Sequence, residues 1–381
     1  MKQWMGGFAL LALLLLAALV APARGEVEGG GCPGSVSYTD GYLTNGGFEE
    51  GYHPEGNDLI GNGWTRVNWQ GNPNWSASWY SSTQRDTGYW RIECEDSQII
   101  TGSGQTSWKE GLPFDTILFQ RVAGLTPGQP YSFAALVNKI WGGTGAGRGG
   151  TPPPNSLGSW IGIDPTGGTD PRAPTVIWSE ADWDDDPGPI LAFHRMTAVA
   201  QSDALTVFVR VQHNVQKDHT VVYVDAMELY DAPRVTLQTQ SGYTTESEVT
   251  LRWSGVIPQS LQERGQTGSA FHLFSDVQQQ QGDGSWVTIR TIETLQNGLN
   301  DISATVPVNV PEGQSVRFRI APYAYERLCN EDEVEDWIVC DGRTWPPTWH
   351  VGPATEPVTI TRGEPGPPLT EHVYLPLIVR R

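Results

Sequence analysis

Basic residues are scarce in this sequence. The 24 Lys and Arg stand against 43 Asp and Glu, a net charge of −19, which argues against nucleic acid or anionic lipid as a partner. The usual signatures of catalysis are missing as well. There is no CxxC, HExxH, GxSxG or Walker sequence, and the 7 histidines are scattered without metal-ligand spacing. Gly145-Ala-Gly147-Arg-Gly-Gly150 spells GxGxxG, but Thr151-Pro-Pro-Pro154 follows where a helix should begin, so dinucleotide binding is excluded. Asp182-Trp-Asp184-Asp-Asp186 begins like a calcium loop. Pro187 then replaces the required glycine and Phe193 the bidentate glutamate, so the stretch reads as a solvated loop. No segment of helical period and useful length follows the N-terminal apolar run, and no second apolar run is long enough to span a membrane.

What the chain does contain is an export signal and many short apolar alternations. Lys2 precedes an apolar run from Phe8 to Val20 that ends in Ala21-Pro22-Ala23, the pattern of a signal peptide over 1–23. The expected location is therefore secreted or at the cell surface, with attachment to the cell envelope through protein contacts left open. Four cysteines in an exported chain read as disulfides rather than metal ligands. Three pairings are open, of which Cys329 with Cys340 and Cys32 with Cys94 are favoured.

Gly 44, Pro 28 and Trp 16, with frequent Val, Thr and Tyr, suit many short strands joined by tight turns. The alternations Ile117–Val122, Tyr131–Val137, Leu205–Val211 and Thr220–Leu229 predict strands, with a Pro-Gly turn at Pro127-Gly128 between the first two. After a short linker at Asp231-Ala-Pro-Arg234, Val249–Trp253, Trp286–Ile289 and Val316–Ile320 predict a second β-unit. The expected fold class is all-β, in two domains over 32–231 and 233–361. A Pro/Gly linker and an apolar tail over 362–381 follow.

Aromatic residues crowd one polar, turn-rich stretch that is ill suited to burying them all: Trp64, Trp69, Trp75, Trp79, Tyr80, Tyr89 and Trp90. Indoles stack on the C–H faces of sugars while amide and guanidinium groups meet the hydroxyls. Trp69, Trp75 and Trp79 are the expected platform, with Trp141 facing them. The alternative leaves Trp64 and Trp90 in the core and the rest covering long loops.

Leu43-Thr-Asn-Gly-Gly-Phe-Glu49 and Tyr223-Val-Asp-Ala-Met-Glu-Leu229 resemble the first and last strands of bacterial carbohydrate-binding modules of the jelly-roll, galactose-binding-like type. Leu118-Phe-Gln-Arg-Val122 and Thr126-Pro-Gly-Gln-Pro-Tyr-Ser-Phe133 resemble the family's central strand, turn and strand. Ile161–Gly168 with Val176-Ile-Trp178 resembles an exported bacterial subset of these modules. The resemblance spans nearly all of 41–230. It implies a jelly-roll β-sandwich, binding of a polysaccharide or glycan without catalysis, and a structural calcium held by Glu49 and Asp225, with further oxygens from backbone carbonyls or an acid such as Glu93.

Residues 233–361 resemble a fibronectin type III or immunoglobulin-like sandwich through Trp253, the hairpin at Asp276–Trp286 and the strand Val316–Tyr323. An insertion from Glu326 to Trp349, carrying Cys329, Cys340 and several acids and tryptophans, departs from that pattern. Two other functions stay open. One is a cell-surface structural or adhesion protein; the other is a jelly-roll glycoside hydrolase or lyase, which would need two suitably placed carboxylates.

Overall fold

The computed structural model of the chain describes residues 41–48, 50–56, 58–70, 89–93, 104–109, 113–141, 153–184, 189–215, 220–264, 269–295, 298–328, 333–334, 337–340, 343–345 and 349–364. The segment expected to be a signal peptide, the residues after 364 and Cys32, Cys94 and Cys329 lie outside the described residues. Cys340 is placed by its backbone alone.

Period-two alternation is realised as strands throughout. The first unit contains β1 (Tyr52–Glu55), β2 (Asp58–Gly61), β3 (Thr65–Gln70), β4 (Tyr89–Glu93), β5 (Gly104–Lys109), β6 (Phe114–Ala123), β7 (Pro130–Trp141), β8 (Leu157–Asp164), β9 (Ile177–Trp178), β10 (Asp182–Asp184), β11 (Pro189–Val199), β12 (Ala204–His213) and β13 (Thr220–Asp231). A front sheet has the order β10-β8-β12-β6-β3, with β9 added at β8, and a rear sheet the order β11-β7-β13-β5-β4. They face each other across one apolar core. Leu205, Val207, Val209 and Val211 of β12 point into it from the front, and Tyr131, Phe133, Ala135 and Val137 of β7 from the rear. The Pro-Gly turn closes as expected, with Gly128 at φ 82°.

The second unit contains β14 (Arg234–Leu237), β15 (Gly242–Thr244), β16 (Glu248–Val256), α1 (Gln259–Arg264), β17 (Ser269–Gln280), β18 (Trp286–Thr294), β19 (Ile302–Pro307), β20 (Ser315–Leu328), β21 (Glu333–Val334), β22 (Trp337–Cys340), β23 (Arg343–Trp345), β24 (Trp349–Val351) and β25 (Val358–Arg362). One sheet runs β14-β16-β19 and the other β15-β25-β20-β17-β18, with β24 added at β20. Trp253 sits fully buried in the core between them, its Nε1 donating to Ser275 Oγ at 3.1 Å. The chain is all-β apart from the six-residue α1 among the described residues.

The junction is not a free linker. Ala232 and Pro233 are buried, and Tyr230, at the end of β13, belongs to the second core. Strand β24 packs against both β20 of the second unit and β7 and β11 of the rear sheet. There His350 Nε2 meets Glu228 Oε2 at 2.7 Å, the two side chains 0% and 1% exposed. A β-bulge between Asp225 and Glu228, with Ala226 at φ 49°, turns Glu228 outward to reach that partner. Gly352 follows β24 so closely against the junction that a Cβ there would collide with the Pro233 carbonyl.

Candidate ligand-binding face

Among the described residues, the outer surface of the front sheet carries a cluster of aromatic and guanidinium side chains. Register sets its layout. Across β8, β12 and β6, Gly158 pairs with Gln212 and Gln212 with Asp115; the next outward row is Trp160, Arg210 and Ile117; the next is Gly162, Phe208 and Phe119. Trp183 of β10 pairs with Gly158, and Trp178 of β9 with Gly162. Both glycines are seats for indoles. A Cβ at Gly158 would lie 2.6 Å from the Trp183 ring, and one at Gly162 would lie 2.7 Å from the Trp178 ring.

Arg210 organises the centre of this face. Its guanidinium carbon lies 4.5 Å from the Trp69 ring centroid and 4.6 Å from that of Trp160, so it bridges the two indoles. Asp115 fixes it from the neighbouring strand. Arg210 Nε donates to Asp115 Oδ1 at 2.9 Å and Nη2 to Oδ2 at 2.6 Å, a planar two-point match that holds the guanidinium in one plane. The ladder extends both ways. Trp183 stands edge-on to Trp160 at 5.0 Å, while Arg172 lies 5.2 Å over Trp69 and Trp178 stands edge-on to Trp69 at 6.4 Å. Phe208, buried beneath Trp178, completes the floor with Phe119.

Behind this face, at the same end of the sandwich, two polar pairs join the sheets. Lys139 of β7 is 0% exposed and points inward, where its Nζ donates to the Asp182 carbonyl at 2.8 Å and to Asp182 Oδ2 at 3.0 Å. Asp182 therefore lies in an edge strand and neutralises a buried lysine, which corrects the expectation of a solvated loop. An acidic run reads as solvent-facing unless the cation it meets, on a strand far back in sequence, is known. Ser159 Oγ lies 2.8 Å from His194 Nε2 in the core beside this pair. A hydroxyl and an imidazole at this distance resemble a nucleophile and its base, but Ser159 is fully buried between the sheets and out of reach of a substrate.

His194 yields a pH prediction. Burial lowers its pKa to about 4, opposed by Asp182 and reinforced by Lys139 and Arg195. In the unfolded chain the imidazole titrates near 6.5. Between these values the unfolded state takes up a proton that the folded state refuses, so stability falls as pH drops from about 6.5 to about 4, by up to roughly 3 kcal/mol from this group. Melting curves of the wild type and of His194→Gln over that range should differ in slope, the variant being flatter. Parallel slopes would remove His194 from the account.

Of the expected platform, Trp69 lies on this face at a bulge in β3, half-buried. Trp75, Trp79 and Glu49 lie outside the described residues. Trp141 ends β7 in the rear sheet, where it pairs with Thr220, while Trp69 is in the front sheet; only its backbone is described. Trp64 is core, 1% exposed, with Nε1 donating to the Asn45 carbonyl at 3.0 Å. Asp225 is 1% exposed at the bulge, its Oδ1 accepting the Ala226 N–H at 2.7 Å. Met227 N–H donates to the Gly46 carbonyl at 3.1 Å, so the segment beginning the domain does meet the strand ending it. Among the described residues, no three His, Cys, Asp or Glu gather as a metal site. Trp160, Trp178, Trp183, Arg210 and Asp115 were not foreseen. The one local signal for them was Gly158-x-Trp160-x-Gly162, small and large residues alternating on one strand face.

No family model and no curated protein matches the chain. Among solved structures, TmCBM61, a carbohydrate-binding module determined in complex with β-1,4-galactotriose, is 13% identical, with 51% of this chain and 99% of that chain covered and a TM-score of 0.30. The N-terminal CBM22-1–CBM22-2 tandem domain of Xyn10C from Paenibacillus barcinonensis is 12% identical over 87% of this chain and 100% of that one, with a TM-score of 0.28. The adhesin domain of Epf from Streptococcus pyogenes is 8% identical over 79% and 92%, with a TM-score of 0.27. Likenesses this distant carry no argument, and the functional reading rests on the chemistry of the front face.

Proposed function

We propose that the chain binds a polysaccharide or glycan outside the cell, without catalysis, on the outer face of the front sheet. The observation that carries this reading is the ladder of indoles and guanidinium groups laid across one sheet face. It offers flat apolar surface and hydrogen-bonding groups side by side, which is what a sugar ring presents in complement. The export signal and the sequence resemblance to carbohydrate-binding modules support it. No helix among the described residues is long and apolar enough to cross a membrane.

A glycan panel probed with the full chain should identify a ligand, and Trp160→Ala and Trp183→Ala should each weaken it about tenfold or more, an indole at a binding hot spot contributing on the order of 1–3 kcal/mol. Melting curves taken on the same variants separate lost contact from lost fold. Unchanged affinity in both would move the site off this face.

The second unit reads as a fibronectin type III or immunoglobulin-like module. Strands β14, β16 and β19 share one sheet and β17, β18, β20 and β25 the other, as in that class of sandwich. Calcium at Asp225 belongs to the same proposal: a buried carboxylate sits at a bulge with Ala226 at φ 49°, and the segment that precedes Glu49 in sequence meets this strand where Met227 N–H donates to the Gly46 carbonyl. Chelation should then lower the melting temperature of the wild type and leave Asp225→Asn unaffected. Identical wild-type melts with and without chelator would remove the ion.

A further inference from the structure

At the centre of the front face the described carboxylates are engaged within the protein, while several donors are not. Both Asp115 oxygens are engaged by Arg210 at 2.9 and 2.6 Å, and Gln212 Oε1 accepts Arg210 Nη2 at 3.3 Å. Asp164, fully buried on the same strand face as Trp160, accepts Thr166 N–H and Oγ1 through Oδ1 at 2.9 and 2.7 Å, and Thr175 Oγ1 through Oδ2 at 2.9 Å. Donors are left over. Among the described residues nothing takes Arg210 Nη1, Gln212 Nε2, the guanidinium of Arg172 or the indole N–H groups of the ladder. The Arg172 side chain is exposed, and only its backbone N–H is bound, to Asp170 Oδ1 at 2.9 Å.

A neutral sugar hydroxyl donates as well as accepts, so a surface built for it supplies both kinds of group. A carboxylate only accepts, and planar guanidinium groups match it best. We infer that the ligand of this face is a uronate-bearing glycan whose carboxylates are received by Arg172 and by Nη1 of Arg210. This rests on the carbohydrate reading above and names the class of sugar. The net charge of −19 does not oppose it at contact distance, because charges beyond about 8 Å are largely screened at physiological salt while two guanidinium groups lie within the face itself.

The test uses the full chain and four probes: polygalacturonate and alginate as uronate polymers, β-1,4-galactan and xylan as neutral ones. At least one uronate polymer should bind at least tenfold more tightly than either neutral polymer. Arg172→Gln should lose at least fivefold of that affinity at an unchanged melting temperature, since the side chain is exposed. Neutral polymers bound as tightly as the uronates, or full uronate affinity in Arg172→Gln, would overturn the inference and leave the carbohydrate reading standing. Failure of all four probes and of the wider glycan panel would remove both.

Discussion

Glu228→Ala should destabilise the protein by about 3–5 kcal/mol, because it removes the carboxylate that meets the His350 imidazole in a site with no access to water. The pair is 2.7 Å apart and 0% and 1% exposed, with Tyr230 at 5.0 Å edge-on to the imidazole and Phe271 at 6.4 Å. His350→Ala should cost a similar amount, and the double variant Glu228→Ala with His350→Ala less than the sum of the single losses, since the interaction between the two side chains can be lost only once. Denaturant unfolding of the four proteins measures the coupling. Additive losses, or single losses below about 1 kcal/mol, would show that the pair is not what joins the two units.

The second large effect belongs to Asp115, whose carboxylate is 7% exposed and holds Arg210, itself 21% exposed, by two hydrogen bonds. Asp115→Ala leaves a guanidinium between two indoles without its anion. A loss of about 2–4 kcal/mol is expected, somewhat below the fully buried case because Arg210 keeps partial contact with water. Asp115→Asn retains one acceptor and should fall between. Ligand affinity should drop with stability in both, because the separation of Trp69 and Trp160 is set by the group lodged between them. Wild-type affinity in a folded Asp115→Ala protein would mean that the ladder is packing and not recognition.

The strands of both cores were legible because their alternation is local. Leu205–Val211 and Tyr131–Val137 each declare their inward side within seven residues, and the structure uses them that way. The ladder was not legible for the opposite reason. Asp115 and Arg210 are 95 residues apart and meet only because β6 and β12 pair in one particular register. Reasoning from clusters in sequence placed the platform near Trp69 but took its neighbours from the same stretch, whereas the described neighbours of Trp69 come from β12, from β9 and from the turn at Arg172. Bulges are similarly hidden: nothing in Asp225-Ala-Met-Glu228 announces that one extra residue turns the glutamate toward a second core.

That turn has a consequence for dissection of the chain. A cut after Asp231 would strip Tyr230 of the core it belongs to, leave Glu228 facing solvent and bare the part of the rear sheet now covered by β24. The two sandwiches are therefore joined through a packed junction rather than as beads on a string, and the first unit excised alone would newly expose Tyr230 and the rear-sheet surface that β24 covers, an invitation to self-association.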